Sequence, residues 1–331
     1  MSQQANTIIR PTPSNTPRTG QQYSIHFGDY SAVITQLGAI LRRFDYQSKE
    51  VIVPFGENDT IPCCNGYVLV PYPNRVEDGE YSFEGVTYQM PIDEVDRQTA
   101  IHGFGYRYMW NLETLTESSV SLSWRSPNLT SYPFDIIVTV LYELNADGLT
   151  MSTVAYNNGS IRAPWAFGIH PWLSNGGNGE NGIEIEADNA KCRLNLPCNI
   201  HVTVNPDRLL PTGEESVANT QYDLRDNPTL AGRPFDDAWS GVQRDEEGNT
   251  TAVFTRPDGL QVSLRGDNTI HAWQVCTATG FPEGQHPAGV AVEPMTAYAN
   301  VLRTGKNLVV IEPDACYQTT IHYHAEQLNN D

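Results

Sequence analysis

Two residues of this chain stand where they could move protons. His170 lies in Ala163-Pro164-Trp165-Ala166-Phe167-Gly168-Ile169-His170-Pro171-Trp172, crowded by aromatic and apolar neighbours. An imidazole of ordinary pKa about 6.5 exchanges a proton near neutral pH, and apolar surroundings keep water from competing, which suits a general acid. The plainer alternative is a core histidine whose ring nitrogens are satisfied by backbone groups. Glu293 ends the apolar run Gly289-Val290-Ala291-Val292 and is stiffened by Pro294. Desolvation in such a run raises a carboxyl pKa toward the value a general base needs.

Three further stretches put polar groups on stiff backbone. In Val70-Pro71-Tyr72-Pro73-Asn74-Arg75-Val76 two prolines precede an amide and a guanidinium, which together offer several donors to an oxygen-rich ligand. The alternative is a rigid loop whose arginine ties down local carbonyls. His102 stands between Ala100-Ile101 and Gly103-Phe104-Gly105, and a lone histidine of this kind is usually structural. Phe235-Asp236-Asp237-Ala238-Trp239 sets adjacent carboxylates among aromatics, so a carboxylate could accept from sugar hydroxyls while a ring covers the sugar's apolar face. Solvated turn carboxylates are the bland reading there, and the frame does not choose between Asp236 and Asp237.

The elements that must position these groups read as strands. Tyr81-Ser82-Phe83 and Val86-Thr87-Tyr88 flank Glu84-Gly85 as a tight hairpin. Ile136 to Leu144 and Leu149 to Tyr156 form a second hairpin across Asn145-Ala146-Asp147-Gly148, and Ala252 to Arg256 and Leu260 to Leu264 a third across Pro257-Asp258-Gly259. Val120 to Trp124 and Ile183 to Ala187 alternate with period two, and no long 3.6-residue stripe bounded by caps is evident. The Gly-rich run Ser174 to Gly182 lacks the Lys-Ser/Thr ending of a phosphate loop; the alternation after it predicts that it opens a strand and forms a flexible wall beside a site. No fixed-period repeat or composition break divides the chain. The expectation is one predominantly antiparallel, all-β domain, a large β-sandwich, over residues 23–331. Residues 1–22 are polar and Pro-rich and read as a flexible tail or at most an edge segment.

With 39 acidic against 20 basic residues and a formal charge of −19, the chain repels phosphate backbones and anionic lipid, which argues against nucleic-acid and membrane partners. The start shows no charged-then-apolar leader and the chain no apolar run of membrane-spanning length, so a cytoplasmic location is expected. The cysteines Cys63, Cys64, Cys192, Cys198, Cys276 and Cys316 lack paired metal spacing and read as thiols. His102 and His170 lie far apart in the chain, unlike the close histidine pairs of zinc sites, so no metal is expected.

In content and in order, these five stretches resemble the aldose 1-epimerase (galactose mutarotase) family, from about Ser31 to Pro313: Asn-Arg before a hairpin, then His-Gly, then Gly-x-His-Pro-aromatic, then Asp among aromatics, then a late Glu. The resemblance implies a galactose mutarotase-like supersandwich with an open cleft. In it Glu293 would be the base and His170 the acid on opposite sides of the anomeric centre. Arg75 and His102 would bind or polarise sugar oxygens near the ring, Asn74 would be a neighbouring contact, and Asp236 would hold hydroxyls. It implies no cofactor, a small-molecule sugar as substrate, and a monomer or homodimer. Trp172-Leu173 stands where the family often has Tyr-Phe, and Pro294-Met295-Thr296 departs from the galactose-handling members, which bears on sugar preference more than on reaction type.

A free aldohexose is the expected substrate. A hexose-6-phosphate mutarotase would share the machinery but need added basic groups, and no Lys/Arg cluster is evident beyond Arg42-Arg43 and isolated arginines. A non-catalytic carbohydrate-binding sandwich would leave Glu293 and His170 without a task, and a glycosidase using Asp236 and Glu293 would leave the histidine without one.

Overall fold

The structure is a computed structural model that describes residues 15–328. Two eight-stranded antiparallel sheets dominate it. The first runs Asn111–Leu115, Ser119–Arg125, Ile136–Asn145, Gly148–Asn157, Cys316–Gln327, Leu260–Gly266, Thr250–Thr255 and Arg193–Asn195. The second, which carries most of the site, runs Pro211–Ser216, Cys198–Val204, Asp236–Val242, Ala272–Cys276, Gly289–Met295, Gly168–Ile169 and Val68–Leu69, with Trp172–Ser174 also pairing Gly289–Met295. A smaller four-stranded sheet spans residues 22–50.

Strand alternation decides which side chains reach the core and which face the site. Val290 and Val292 join the main core together with Trp273 and Val275 of the neighbouring strand and Val138, Val140 and Tyr142 of the facing sheet. The residues between them, Ala291, Glu293 and Met295 on one strand and Ala272, Gln274 and Cys276 on the next, point the other way, where Ala272 and Met295 and then Cys276 and Ala291 form two small satellite clusters. The period-two geometry of a strand thus puts a carboxyl and an amide on the face turned from the core. This is the sandwich that the strand pattern predicts.

All three predicted hairpins form: Tyr81 pairs Tyr88, Asn145 pairs Gly148, and Thr255 pairs Gln261. In the first, Glu84 and Gly85 both have positive φ, at 50° and 81°, the two-residue turn that matches strand twist. Ile183 to Ala187 is a correction. It belongs to an α-helix, Gly182–Lys191, so the Gly-rich run opens a helix and not a strand. The reason is capping: the Asn181 side chain accepts from the Glu184 N–H, and Glu184 accepts in turn from the Glu180 N–H, a reciprocal start that outweighs local alternation. Ile183 is left 82% exposed, which shows that the alternation tracks no buried face.

Residues 1–14 of the expected tail lie outside the described residues. Of the rest, Thr19 and Gly20 are buried, Thr19 Oγ1 donates to the Glu57 carbonyl at 2.7 Å, and the edge strand Gln22–Phe27 begins just beyond. Among the described residues no helix is long and apolar enough to cross a membrane.

Candidate active site

Register builds the centre of the site. Gly168 pairs Met295 and Trp172 pairs Ala291, so continuing the register between them sets His170 across from Glu293, and Gln274 pairs Glu293 on its other side. Three polar side chains thus form a row across adjacent strands inside an otherwise apolar stretch. His170 Nε2 lies 3.4 Å from Glu293 Oε1.

A second piece comes from a short ladder in which Arg75–Glu77 pairs Thr99–Ile101. At its end Asn74 and His102 face each other with φ of 56° and 62°, the Asn74 N–H donating to His102 Nδ1 at 3.1 Å and the His102 N–H to the Asn74 carbonyl at 3.0 Å. Gly103 has to be glycine: φ is +65°, and a Cβ would stand 2.1 Å from the Val70 carbonyl oxygen. Because Nδ1 of His102 accepts, its ring hydrogen sits on Nε2, a donor available to the cavity this residue lines. The rings of His102 and His170 meet edge to face, with centroids 5.3 Å apart.

Arg75 is clamped by Glu94, with Nε to Oε2 at 2.7 Å and Nη2 to Oε1 at 3.1 Å, and its Nη2 lies 4.0 Å from Asp236 Oδ2. Gln274 Nε2 donates to Asp236 Oδ1 at 2.8 Å. All six residues singled out in the sequence, Asn74, Arg75, His102, His170, Asp236 and Glu293, therefore line one cavity of about 170 Å³. That is below the roughly 300–1,000 Å³ of sites for drug-sized ligands, so it suits one small molecule. A larger hollow of about 490 Å³ between the helix Gly182–Lys191 and residues 230–234 is lined by Glu186 and Arg233 and by none of those six.

The choice between Asp236 and Asp237 follows from alternation. Asp236 faces the cavity, while Asp237 Oδ1 meets His201 Nε2 at 2.8 Å in a separate cluster where Glu215 holds the other ring nitrogen at 3.0 Å.

Sequence reasoning missed Glu94, Gln274, Cys63, Cys64, Cys276 and Phe281, all of which line the cavity. Gln274 carried the same signal as Glu293, a polar residue inside an apolar strand. Glu94 carried none, being one acid among many. Cys63, Trp172, Cys276 and Phe281 belong to one apolar cluster, and burial pushes the Cys63 and Cys276 thiols up and that of Cys64 up to about 12, so this wall stays uncharged.

Burial also shapes the central pair. It lifts the Glu293 carboxyl well above the usual carboxylate range, the Asp236 charge adding to the rise and Arg75 opposing it. It lowers His170 to about 4, its own backbone opposing and Arg75 assisting. His102 is pushed well below the ordinary imidazole value by burial first, then by His170 and Arg75. Glu94 is the exception: burial would raise it, but the Arg75 hydrogen bonds win and hold it low. No set of three or more His, Cys, Asp or Glu side chains among the described residues could hold a metal ion.

The site is thus a buried His–Glu pair on one face of an antiparallel sandwich, ringed by Arg, Asn, Asp and a second His. The family model for aldose 1-epimerase matches residues 21–324, and the chain belongs to that family. It is 30% identical over 301 residues to the uncharacterized protein YihR of Escherichia coli strain K12, covering 90% of this chain and 91% of the relative. A probable aldose 1-epimerase of Arthroderma benhamiae is 26% identical over 179 residues, 50% of this chain and 38% of that one. The fold matches that of a GalM/aldose epimerase homologue from C. elegans with a TM-score of 0.78 at 19% identity, over 93% of this chain and 99% of the other. A galactose mutarotase-like protein from Clostridium acetobutylicum gives a TM-score of 0.77 at 17% identity, over 92% and 95%.

Proposed function

We propose that this chain is an aldose 1-epimerase that interconverts the α and β anomers of a free aldohexose by opening and reclosing the pyranose ring. The observation that carries the reading is the buried His170–Glu293 pair in a cavity otherwise lined by oxygen-binding groups. Glu293 takes the proton of the C1 hydroxyl while His170 gives one to the ring oxygen; the C1–O5 bond breaks and the aldehyde forms. Rotation about C1–C2 presents the other carbonyl face, and ring closure returns each proton along the reverse path. One proton shared by the pair serves both halves, so nothing is consumed and the chemistry needs no covalent intermediate.

The remaining groups suit holding the sugar. His102, with its hydrogen on Nε2, donates near the ring; Arg75, fixed by Glu94, offers its outer guanidinium edge beside Asp236, and Asn74 adds an amide. Asp236, steadied by Gln274, accepts from hydroxyls. Among the described residues Arg75 is the one cationic side chain lining the cavity, and it is already engaged by Glu94 and near Asp236. With the overall charge of −19, this supports a neutral substrate over a 6-phosphate. Polarimetry or exchange NMR on a panel of aldoses and their 6-phosphates, with the buffer-catalysed rate subtracted, tests both claims. No enhancement for any aldose would remove the enzyme reading, and a several-fold preference for glucose 6-phosphate would remove the neutral-substrate one.

A further inference from the structure

The segment from Thr277 to Pro287 crosses the rim of the cavity as a strap, and the helix Gly182–Lys191 grips it along its length. At the strap's feet, Nδ2 of the buried Asn189 donates to the Thr277 carbonyl at 3.3 Å and to the Pro287 carbonyl at 3.5 Å. Midway, Oε1 of Glu186 accepts from the Gly280 N–H at 2.8 Å and faces His286 Nε2 at 3.0 Å. At the helix start, the Gly182 N–H donates to Glu283 at 3.2 Å. On the cavity side, Cys63 Sγ donates to the Gln285 carbonyl at 3.2 Å.

What the grip positions is Phe281. It lines the cavity and stands edge-on to Trp172, with centroids 6.4 Å apart. Gly280 precedes it and Gly284 follows three residues on, at φ of 78° and 77° with open space where a Cβ would be; within the strap Phe281 is held by its N–H bond to the Ala278 carbonyl at 3.2 Å and by the His286 ring, with centroids 6.4 Å apart. The two hydrogen bonds that converge on Glu186 Oε1, from the Gly280 N–H and the His286 ring, fix the strap immediately before Phe281 and near its far end.

We propose that Glu186 is a positioning residue for sugar binding: through Gly280 and His286 it holds the strap so that Phe281 forms one wall of the cavity. The inference rests on the sugar-binding reading of that cavity. Glu186 does not line the cavity, so it acts on affinity and leaves the proton transfers alone.

The test compares Glu186→Ala, Glu186→Gln and Gly182→Ala in the full chain. Glu186→Ala is expected to raise KM for the preferred aldose by roughly 3- to 10-fold, the scale of an ordinary hydrogen bond, with kcat within about twofold. Glu186→Gln keeps an acceptor for both donors and is expected to restore KM, which a loss of helix stability alone would not explain. Gly182→Ala guards against misfolding. Alanine favours the helix, yet its Cβ would stand 2.5 Å from Cε1 of His286, so the helix persists while the strap is displaced and KM rises. A readout independent of turnover is alkylation of Cys63 by iodoacetamide, followed peptide by peptide. Releasing the strap removes the Gln285 acceptor and uncovers the thiol, so labelling is expected to accelerate several-fold in Glu186→Ala and Gly182→Ala but not in Glu186→Gln, with the exposed Cys316 as internal reference. Unchanged Cys63 labelling overturns the proposal, and so does faster labelling with KM unmoved. Should the wild type show no mutarotation of any aldose, the enzyme reading falls, and Cys63 labelling decides the strap's attachment by itself.

Discussion

His170 Nε2 stands 3.4 Å from Glu293 Oε1, and the other carboxyl oxygen, Oε2, is buried without a hydrogen-bond partner among the described residues. A buried polar atom without a partner is costly, and Glu293, the residue that carries this one, lines the cavity. Glu293→Gln and His170→Asn are each expected to lower mutarotase turnover about 10²- to 10⁴-fold, with circular dichroism spectra unchanged. The double variant should fall well short of the product of the two losses, because both groups serve one step. Either single variant retaining near-wild-type rates above the buffer background would refute the assignment.

The pH profile follows from the two shifts in opposite directions. Between about 4, where His170 takes up a proton, and the raised value at which Glu293 ionises, the pair holds one proton; burial rests it on Glu293, and its transfer to His170 across the 3.4 Å gap gives the form that opens the ring. Below about 4 a second proton leaves no base, and above the raised Glu293 value none remains to act as acid. kcat/KM should therefore be flat between those two limits and fall on the acid side only near pH 4. Asp236→Asn removes a negative charge that makes Glu293 harder to ionise, so the alkaline limb should move to lower pH. Polarimetric rates extrapolated to zero buffer check both; an acid limb near 6.5 would mean that His170 is not buried as described.

Much of this arrangement was legible in the residues themselves. Glu293 and His170 betrayed themselves as polar groups in apolar runs, and the strand pattern foretold the sandwich because period-two burial is written locally. The helix Gly182–Lys191 was not legible, since Ile183-Glu184-Ile185-Glu186 alternates like a strand and the deciding signal was the Asn181 cap. Glu94 was hidden because its role exists only once Arg75 folds against it, 19 positions away. The Asp236 choice needed a register that no local frame supplies.

Burying Glu293 should cost stability when it ionises. Its pKa is raised in the fold relative to about 4.3 in an unfolded chain, so the stability it contributes is fully present below that value and is lost as pH rises through the raised one. The neutral isostere in Glu293→Gln escapes this loss. Thermal melts should show the variant gaining on the wild type as pH rises across that window, by roughly 2–4 °C in Tm for each kcal/mol involved. A difference independent of pH would show that the carboxyl is not desolvated.

Arg75→Lys tests whether the guanidinium works by shape as well as charge. Lysine keeps the positive charge but cannot make the paired Nε and Nη2 contacts to Glu94, so it loses the fixed orientation toward Asp236. KM should rise about tenfold or more with a smaller fall in kcat. Glu94 should also lose the contacts that hold it low, shifting upward by NMR titration.

Asp236 and Asp237 are neighbours with separable tasks, and their amide variants should separate them. Asp236→Asn weakens a group that faces the cavity, so it is expected to raise KM with little change in melting temperature. Asp237→Asn should leave KM alone, because Asp237 serves His201 on the other face of the strand. Burial would lower His201, but its hydrogen bonds to Asp237 and Glu215 prevail and raise it. A raised imidazole contributes stability that is fully present below its unfolded value of about 6.5 and is lost as pH climbs through the folded one. The melting deficit of Asp237→Asn should therefore be largest where His201 is charged and shrink as pH climbs through its raised value. If Asp237→Asn raised KM and Asp236→Asn did not, the sugar-facing carboxylate would have to be reassigned.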